Sequence, residues 1–262
     1  MADPGISGAD SHDPDRHLNS LLQSLSQGRT PIGVFIGAGC PVSIRVTDGA
    51  VTVPLIPDVA GLTKLIFDEI LRDTLMKEVL TSLLSQFSTD GRPAPNIEDM
   101  LSHVRSLRLV AGKSAIRDLS IGQLAAIEQK ICEKIALHAG KELPADRITP
   151  YHRLAEWIGG IPREQPIEIF TTNYDLLMEQ ALEERHIPYF DGFVGSRETF
   201  FDLHAIENEL LPPRWARLWK LHGSINWQAH DDGEVRRTVK PGTSGQAMIF
   251  PCKRSGDLAL DA

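Results

Sequence analysis

Ile167-Glu-Ile-Phe-Thr-Thr-Asn-Tyr-Asp175 decides how this 262-residue chain is read. Its first five residues are mostly β-branched or aromatic, which predicts a strand over 167–171. The run then meets polar residues. Asn173 to Glu184 has helical periodicity, with Thr172 and Asp175 at capping-box spacing. Two other stretches stop in the same way. Pro31-Ile-Gly-Val-Phe-Ile-Gly-Ala-Gly39 predicts a buried strand over 32–36 and a tight small-residue loop. Leu218-Trp-Lys-Leu221 predicts a strand that ends at His222-Gly223-Ser224. Strands alternating with helices pack as a mainly parallel sheet, and open parallel sheets bind ligands just beyond the carboxyl ends of their strands. Three unusual motifs at three such ends form the candidate site.

The flanking sequence builds the rest of the fold. Residues 1–15 lack periodicity and are expected to be a disordered leader. Residues 16–27 place Leu18, Leu21, Leu22 and Leu25 on one helical face that ends at Gly28. Residues 41–57 look irregular, with a small hairpin over 46–53, and Asp58 is placed to cap the next helix. From Leu62 to Ala139 the pattern is helical. Asn96-Ile-Glu-Asp99 is a capping signal ahead of Met100, Leu101, Val104, Leu107 and Leu109, and Ser120 to His138 repeats the pattern with Leu124, Ile127, Ile131 and Ile135. The apolar stripes of this block either pack on the sheet, the favoured reading, or form an oligomer surface. Thr149 caps a helix that has Pro150 at its first position. Residues 187–194 and Ala247–Phe250 are weaker strand candidates. The expected fold is α/β and Rossmann-like, with helices on both faces of the sheet. Residues 1–28 form a leader and short helix; one domain spans 29–262 and carries an all-helical insertion at 62–140.

Composition narrows the function classes. The formal net charge is −8. The densest basic cluster is Arg236, Arg237 and Lys240, followed by Lys253 and Arg254, and it reads as a solvated loop. Direct nucleic-acid binding, which is driven by neutralising phosphates, is therefore not expected. No stretch approaches the roughly 18 apolar residues of a membrane span, and the N-terminus lacks the pattern of a secretory signal. The three cysteines, Cys40, Cys132 and Cys252, form no C-x-x-C pair, so no four-cysteine zinc site is expected and the setting is expected to be reducing and cytoplasmic.

Each motif has a chemical and a structural reading. Gly37 and Gly39 lack Cβ atoms, which lets a phosphate approach backbone N–H groups, or they form an ordinary turn. The amide of Asn173 both donates and accepts, which suits a sugar hydroxyl or a water, or it caps a helix. Asp175 has the same structural alternative. His222 is a general base or a packed core histidine. The other eight histidines have no spacing that suits a metal pair.

Taken in order, Ile36-Gly-Ala-Gly-Cys40, Ile56-Pro-Asp-Val-Ala-Gly-Leu62, Asn96-Ile-Glu-Asp99, Thr149-Pro-Tyr-His152, Phe170-Thr-Thr-Asn-Tyr-Asp175 and Lys220-Leu-His-Gly-Ser-Ile-Asn-Trp227 resemble the sirtuin superfamily. They are most similar to its bacterial branch of NAD-consuming antiphage effectors. The resemblance implies NAD as substrate, with Gly37, Ala38 and Gly39 along the pyrophosphate and Asn173 orienting the nicotinamide ribose and a water. It further implies Asp175 near the nicotinamide amide, His222 as general base, and Cys40, Asp58, Thr172, Gly223 and Ser224 around the ligand. The implied act is hydrolysis of NAD to nicotinamide and ADP-ribose without a metal. A non-catalytic NAD or ADP-ribose sensor is the alternative, and a protein deacylase ranks last. The deacylating members carry cysteine pairs for zinc and an Arg after the Pro-Asp, and this chain has neither; Pro41 also replaces the usual serine of the glycine loop. Implied partners are further copies of the chain, or a helicase-like ATPase, an Argonaute-type protein or a sensor domain, with no membrane. Nothing after Phe250 supplies the family's closing strand, so a longer natural product is expected.

Overall fold

The computed structural model describes residues 13–238 apart from 27, 29, 161, 162 and 231–233. In chain order the elements are α1 (Pro14–Ser26), β1 (Ile32–Ile36), α2 (Gly39–Ser43), β2 (Arg45–Asp48), β3 (Val51–Pro54), α3 (Val59–Ile70), α4 (Met76–Thr89), α5 (Ile97–Ala111), α6 (Ile121–Ala139) and α7 (Pro150–Gly160). They continue with β4 (Ile167–Thr171), α8 (Leu177–Glu184), β5 (Tyr189–Phe190), β6 (Phe193–Val194), β7 (Phe200–Phe201), α9 (Leu203–Glu207), β8 (Ala216–Lys220), β9 (Trp227–Ala229) and β10 (Val235–Arg237).

The central sheet has the order β1-β4-β8-β5 and is parallel throughout. Its register sets Ile36 opposite Thr171 and Thr171 opposite Lys220, so the three motif-bearing strands finish level with one another. The fold is thus the Rossmann-like α/β arrangement expected, a parallel sheet flanked by helices. Ile36, Ile167, Ile169, Ala216 and Leu218 pack with Tyr151, Ala155 and Ile158 of α7 and Leu177, Ala181 and Leu182 of α8. On the alternate positions of β1, Phe35 remains 65% exposed. The helix of α1 forms as read, with Leu18, Leu21 and Leu22 exposed.

The helical block is confirmed as α3 to α6. Asn96 and Asp99 form a full capping box, with Asn96 Oδ1 accepting from both Glu98 N and Asp99 N at 2.9 Å. Ser120 and Gln123 form another. The apolar stripes do not lie on the sheet, however. They pack on one another as a separate core, to which only Tyr174 and Ile225 of the strand-end loops are added among the buried residues. Four amphipathic helices already have enough apolar surface to cover each other. Leu109 falls outside this core and is exposed.

Three other expectations are corrected. The helix expected from Asn173 begins at Leu177, because the Asp175 carboxylate accepts from Leu177 N at 3.0 Å and makes a turn instead of a Thr172 capping box. Residues 39–43, expected as loop, form the short helix α2. Arg236 and Arg237 belong to β10 rather than to a solvated loop, and Arg237 pairs with buried Asp191 at 2.6 Å. The candidate strand Ala247–Phe250, along with Lys240, Lys253, Arg254 and Cys252, lies outside the described residues.

The independent helical core makes Leu101→Ala a direct probe. This side chain is fully buried in that core. Urea unfolding is expected to show a loss of about 2–5 kcal/mol.

Candidate functional site

The ends of β1, β4 and β8 are joined beyond the strands themselves. Thr172 N donates to Ile36 O at 3.4 Å and Leu221 N donates to Thr171 O at 2.8 Å. At the first of these seams, Asn173 Nδ2 donates to Gly37 O at 3.2 Å. The sequence candidates Gly37 and Asn173, 136 residues apart, are thus brought together. Asn173 is 9% exposed, its backbone N donates to Thr171 Oγ1, and its side-chain oxygen accepts no hydrogen bond among the described residues. A β-carbon added at Gly37 or Gly39 meets nothing within 4 Å, so the loop presents open backbone on which a flat or anionic ligand group fits.

Cys40 sits differently from the expectation. Its backbone N–H turns inward onto Gly37 O at 3.1 Å and is not available to a ligand. Its half-buried thiol lies against the Tyr151 hydroxyl, and burial pushes the thiol pKa up. Asp58 also has a structural task. It is the N-cap of α3, accepting from Gly61 N at 2.8 Å, and a β-carbon on Gly61 would crowd Pro57 Cβ at 3.0 Å. Ala38 is the N-cap of α2. Thr172 serves the seam just described.

Asp175 is almost wholly buried. Burial, opposed by the positive charge of Lys220 and the hydrogen bond from Leu177 N, raises its pKa from 3.8 to about 6. Lys220, whose side chain is 1% exposed, donates to Asp175 O and to Glu179 Oε1, the latter at 2.9 Å. The base of the Asn173 loop is therefore nailed to the end of β8. His222 follows in the turn, one-third exposed, with its ring 6.3 Å from that of Tyr174. Gly223 has φ +79°, a conformation that favours glycine, and this lets the chain double back so that Ile225 N reaches Tyr174 O at 3.0 Å. Ser224 is buried, its hydroxyl 3.5 Å from Tyr174 O.

Sequence reasoning missed three members of this neighbourhood. Tyr151 is buried with its hydroxyl 3.5 Å from Asn173 Nδ2, and burial holds its pKa far above the usual phenol range. Lys220 anchors the loop, and Glu98 reaches it from α5. All three lie inside quoted motifs, so the signal was present but carried no role. His152, by contrast, is structural: its ring nitrogens meet Thr149 N at 3.1 Å and Glu184 Oε2 at 2.7 Å.

A separate cavity of about 1390 Å³ is lined by Leu137, Leu176, Glu179, Asp191, Asn226 and Arg237 among others. None of the sequence candidates lines it. Among the described residues, no group of three or more His, Cys, Asp or Glu is arranged to hold a metal ion, and no helix is long and apolar enough to cross a membrane.

Residues 167–239 match the SIR2-like domain family. The match begins with β4 and takes in Asn173, Asp175, Lys220 and His222. It shares the sirtuin-type character read from the motifs and implies NAD-related chemistry for this segment. A search of the curated proteins found no match.

The raised Asp175 pKa has a defined sign. Between pH 3.8 and about 6 the folded chain holds a proton that the unfolded chain releases, so this group's contribution to stability is lost as pH rises through 6. Relative to Asp175→Asn, which does not titrate, the native protein is expected to lose about 2 kcal/mol of unfolding free energy between pH 4 and pH 8. Denaturant titrations of both proteins across that range check it.

Proposed function

We propose that the chain is an NAD glycohydrolase, and that residues 29–262 act as one NAD-binding domain whose helical insertion covers 62–140. The observation that supports this most is the hydrogen bond of Asn173 Nδ2 to Gly37 O, at the level ends of two parallel strands. A glycine loop without side chains and a polar amide are thereby neighbours at the edge where parallel sheets take nucleotides. The SIR2-like match over the second half of this site supports NAD as the substrate.

In the reaction the bond between C1′ of the ribose and the nicotinamide nitrogen breaks, and its electron pair leaves with nicotinamide. Water oxygen bonds to C1′. The proton it releases passes to His222 and then to solvent. The ribose carries positive charge as the bond breaks, and hydroxyl and water partners held by Asn173 stabilise it. The open backbone at Gly37 and Gly39, with Ala38 between them, faces the phosphates, and Asp175 is the buried acceptor for the nicotinamide amide. Cys40 and Asp58 contribute through the fold, given their internal bonds. The resemblance to antiphage effectors extends the proposal to a defence role in a cytoplasmic setting. There, assembly with further copies or with a helicase-like ATPase, Argonaute-type or sensor partner would switch the enzyme on.

Incubation of the full chain with NAD, with nicotinamide followed by chromatography, tests the chemistry. Asn173→Ala and His222→Ala are each expected to lower kcat by about 100-fold or more. Binding of NAD with no release in any oligomeric state would favour the sensor alternative. Release that requires an acylated peptide would favour a deacylase.

A further inference from the structure

Glu98 is the second residue of α5, where an acidic side chain suits the positive end of the helix dipole. Sequence requires nothing more of it. In the fold, its Oε1 accepts the Tyr174 hydroxyl and lies 3.8 Å from His222 Nδ1. Tyr174 is buried, which holds its pKa above the usual phenol range and keeps it a donor. One carboxylate oxygen from the helical block thus faces both the residue after Asn173 and the candidate base.

An imidazole that accepts a proton needs a defined tautomer, with N–H on one nitrogen and the lone pair on the other. A carboxylate beside Nδ1 favours N–H there. It also stabilises the imidazolium formed once Nε2 has taken a proton. We propose that Glu98 is a positioning residue for His222, holding the Nδ1–H tautomer so that Nε2 is the basic nitrogen; the catalytic part of this rests on the glycohydrolase reading above. During turnover the proton from water goes to Nε2, the Nδ1 proton stays on Nδ1, and Glu98 remains ionised. At 3.8 Å the contact is longer than a hydrogen bond, as catalytic contacts in ligand-free sites often are.

The test uses the full chain labelled with ¹⁵N-histidine, with the His222 signals assigned by their loss in His222→Gln. In the neutral ring, the ¹⁵N shifts are expected to show mainly Nδ1–H in the native protein and a fall of about twofold or more in that fraction in Glu98→Ala. The same variant is expected to lower kcat about tenfold, with KM within about threefold, because a positioning group acts on the chemical step. Glu98→Gln, which keeps an acceptor oxygen, is expected to retain more activity and more of the tautomer than the alanine variant. Identical tautomer populations in native and Glu98→Ala proteins overturn the proposal, as does an unchanged kcat in an active enzyme. If the native protein releases no nicotinamide, the glycohydrolase reading fails, while the tautomer comparison still decides the role of Glu98.

Discussion

The parallel pairing of β1, β4 and β8 is the constraint on which the rest of the molecule depends. Because Ile36, Thr171 and Lys220 stand level, the residues that follow them leave the sheet at one edge. The backbone bonds from Thr172 to Ile36 and from Leu221 to Thr171 carry the pairing one residue further. A register slip of one residue would reverse which face each side chain meets. It would take Asn173 away from Gly37. Apolar packing of Ile167, Ile169 and Leu218 beneath α7 and α8 opposes that slip.

Charge fixes what the register brings together. Lys220, Glu179 and Asp175 are buried under the Asn173 loop. Such a group adds little net stability, because the cost of removing charges from water offsets their attraction. Its effect is geometric. The ammonium has two anchors, Asp175 O in the turn after β4 and Glu179 in the first turn of α8, and both must be met at once. This explains why the segment 172–176 stays out of the helix despite its helical periodicity. Leu177 N takes the Asp175 carboxylate and Lys220 takes the Asp175 carbonyl, which holds this segment in a turn.

The helical block completes the arrangement from outside the sheet. It has its own core, and it touches the strand ends through Tyr174, Ile225 and Glu98. The position of α5 therefore bears on the surroundings of His222. A change in how the block sits would be felt at the imidazole without any change in the sheet.

Much of this was legible in the sequence where the information is local. The strands at 32–36 and 167–171, the capping box at Asn96, the hairpin near residue 50 and the helical run after Leu62 follow from side-chain period and turn chemistry, which need only neighbouring residues. The three strand-end motifs were legible for the same reason, and their common edge followed from the parallel sheet. What sequence alone did not decide was how each polar group is spent. Asp175 makes a turn ahead of α8, Cys40 N–H turns inward, and the helical stripes face one another instead of the sheet. Tyr151, Lys220 and Glu98 enter the site from positions that are 22, 47 and 75 residues from Asn173. Those outcomes depend on competition among partners distant in the chain. Only the folded structure brings such partners within the 3 to 4 Å at which hydrogen bonds and ion pairs act.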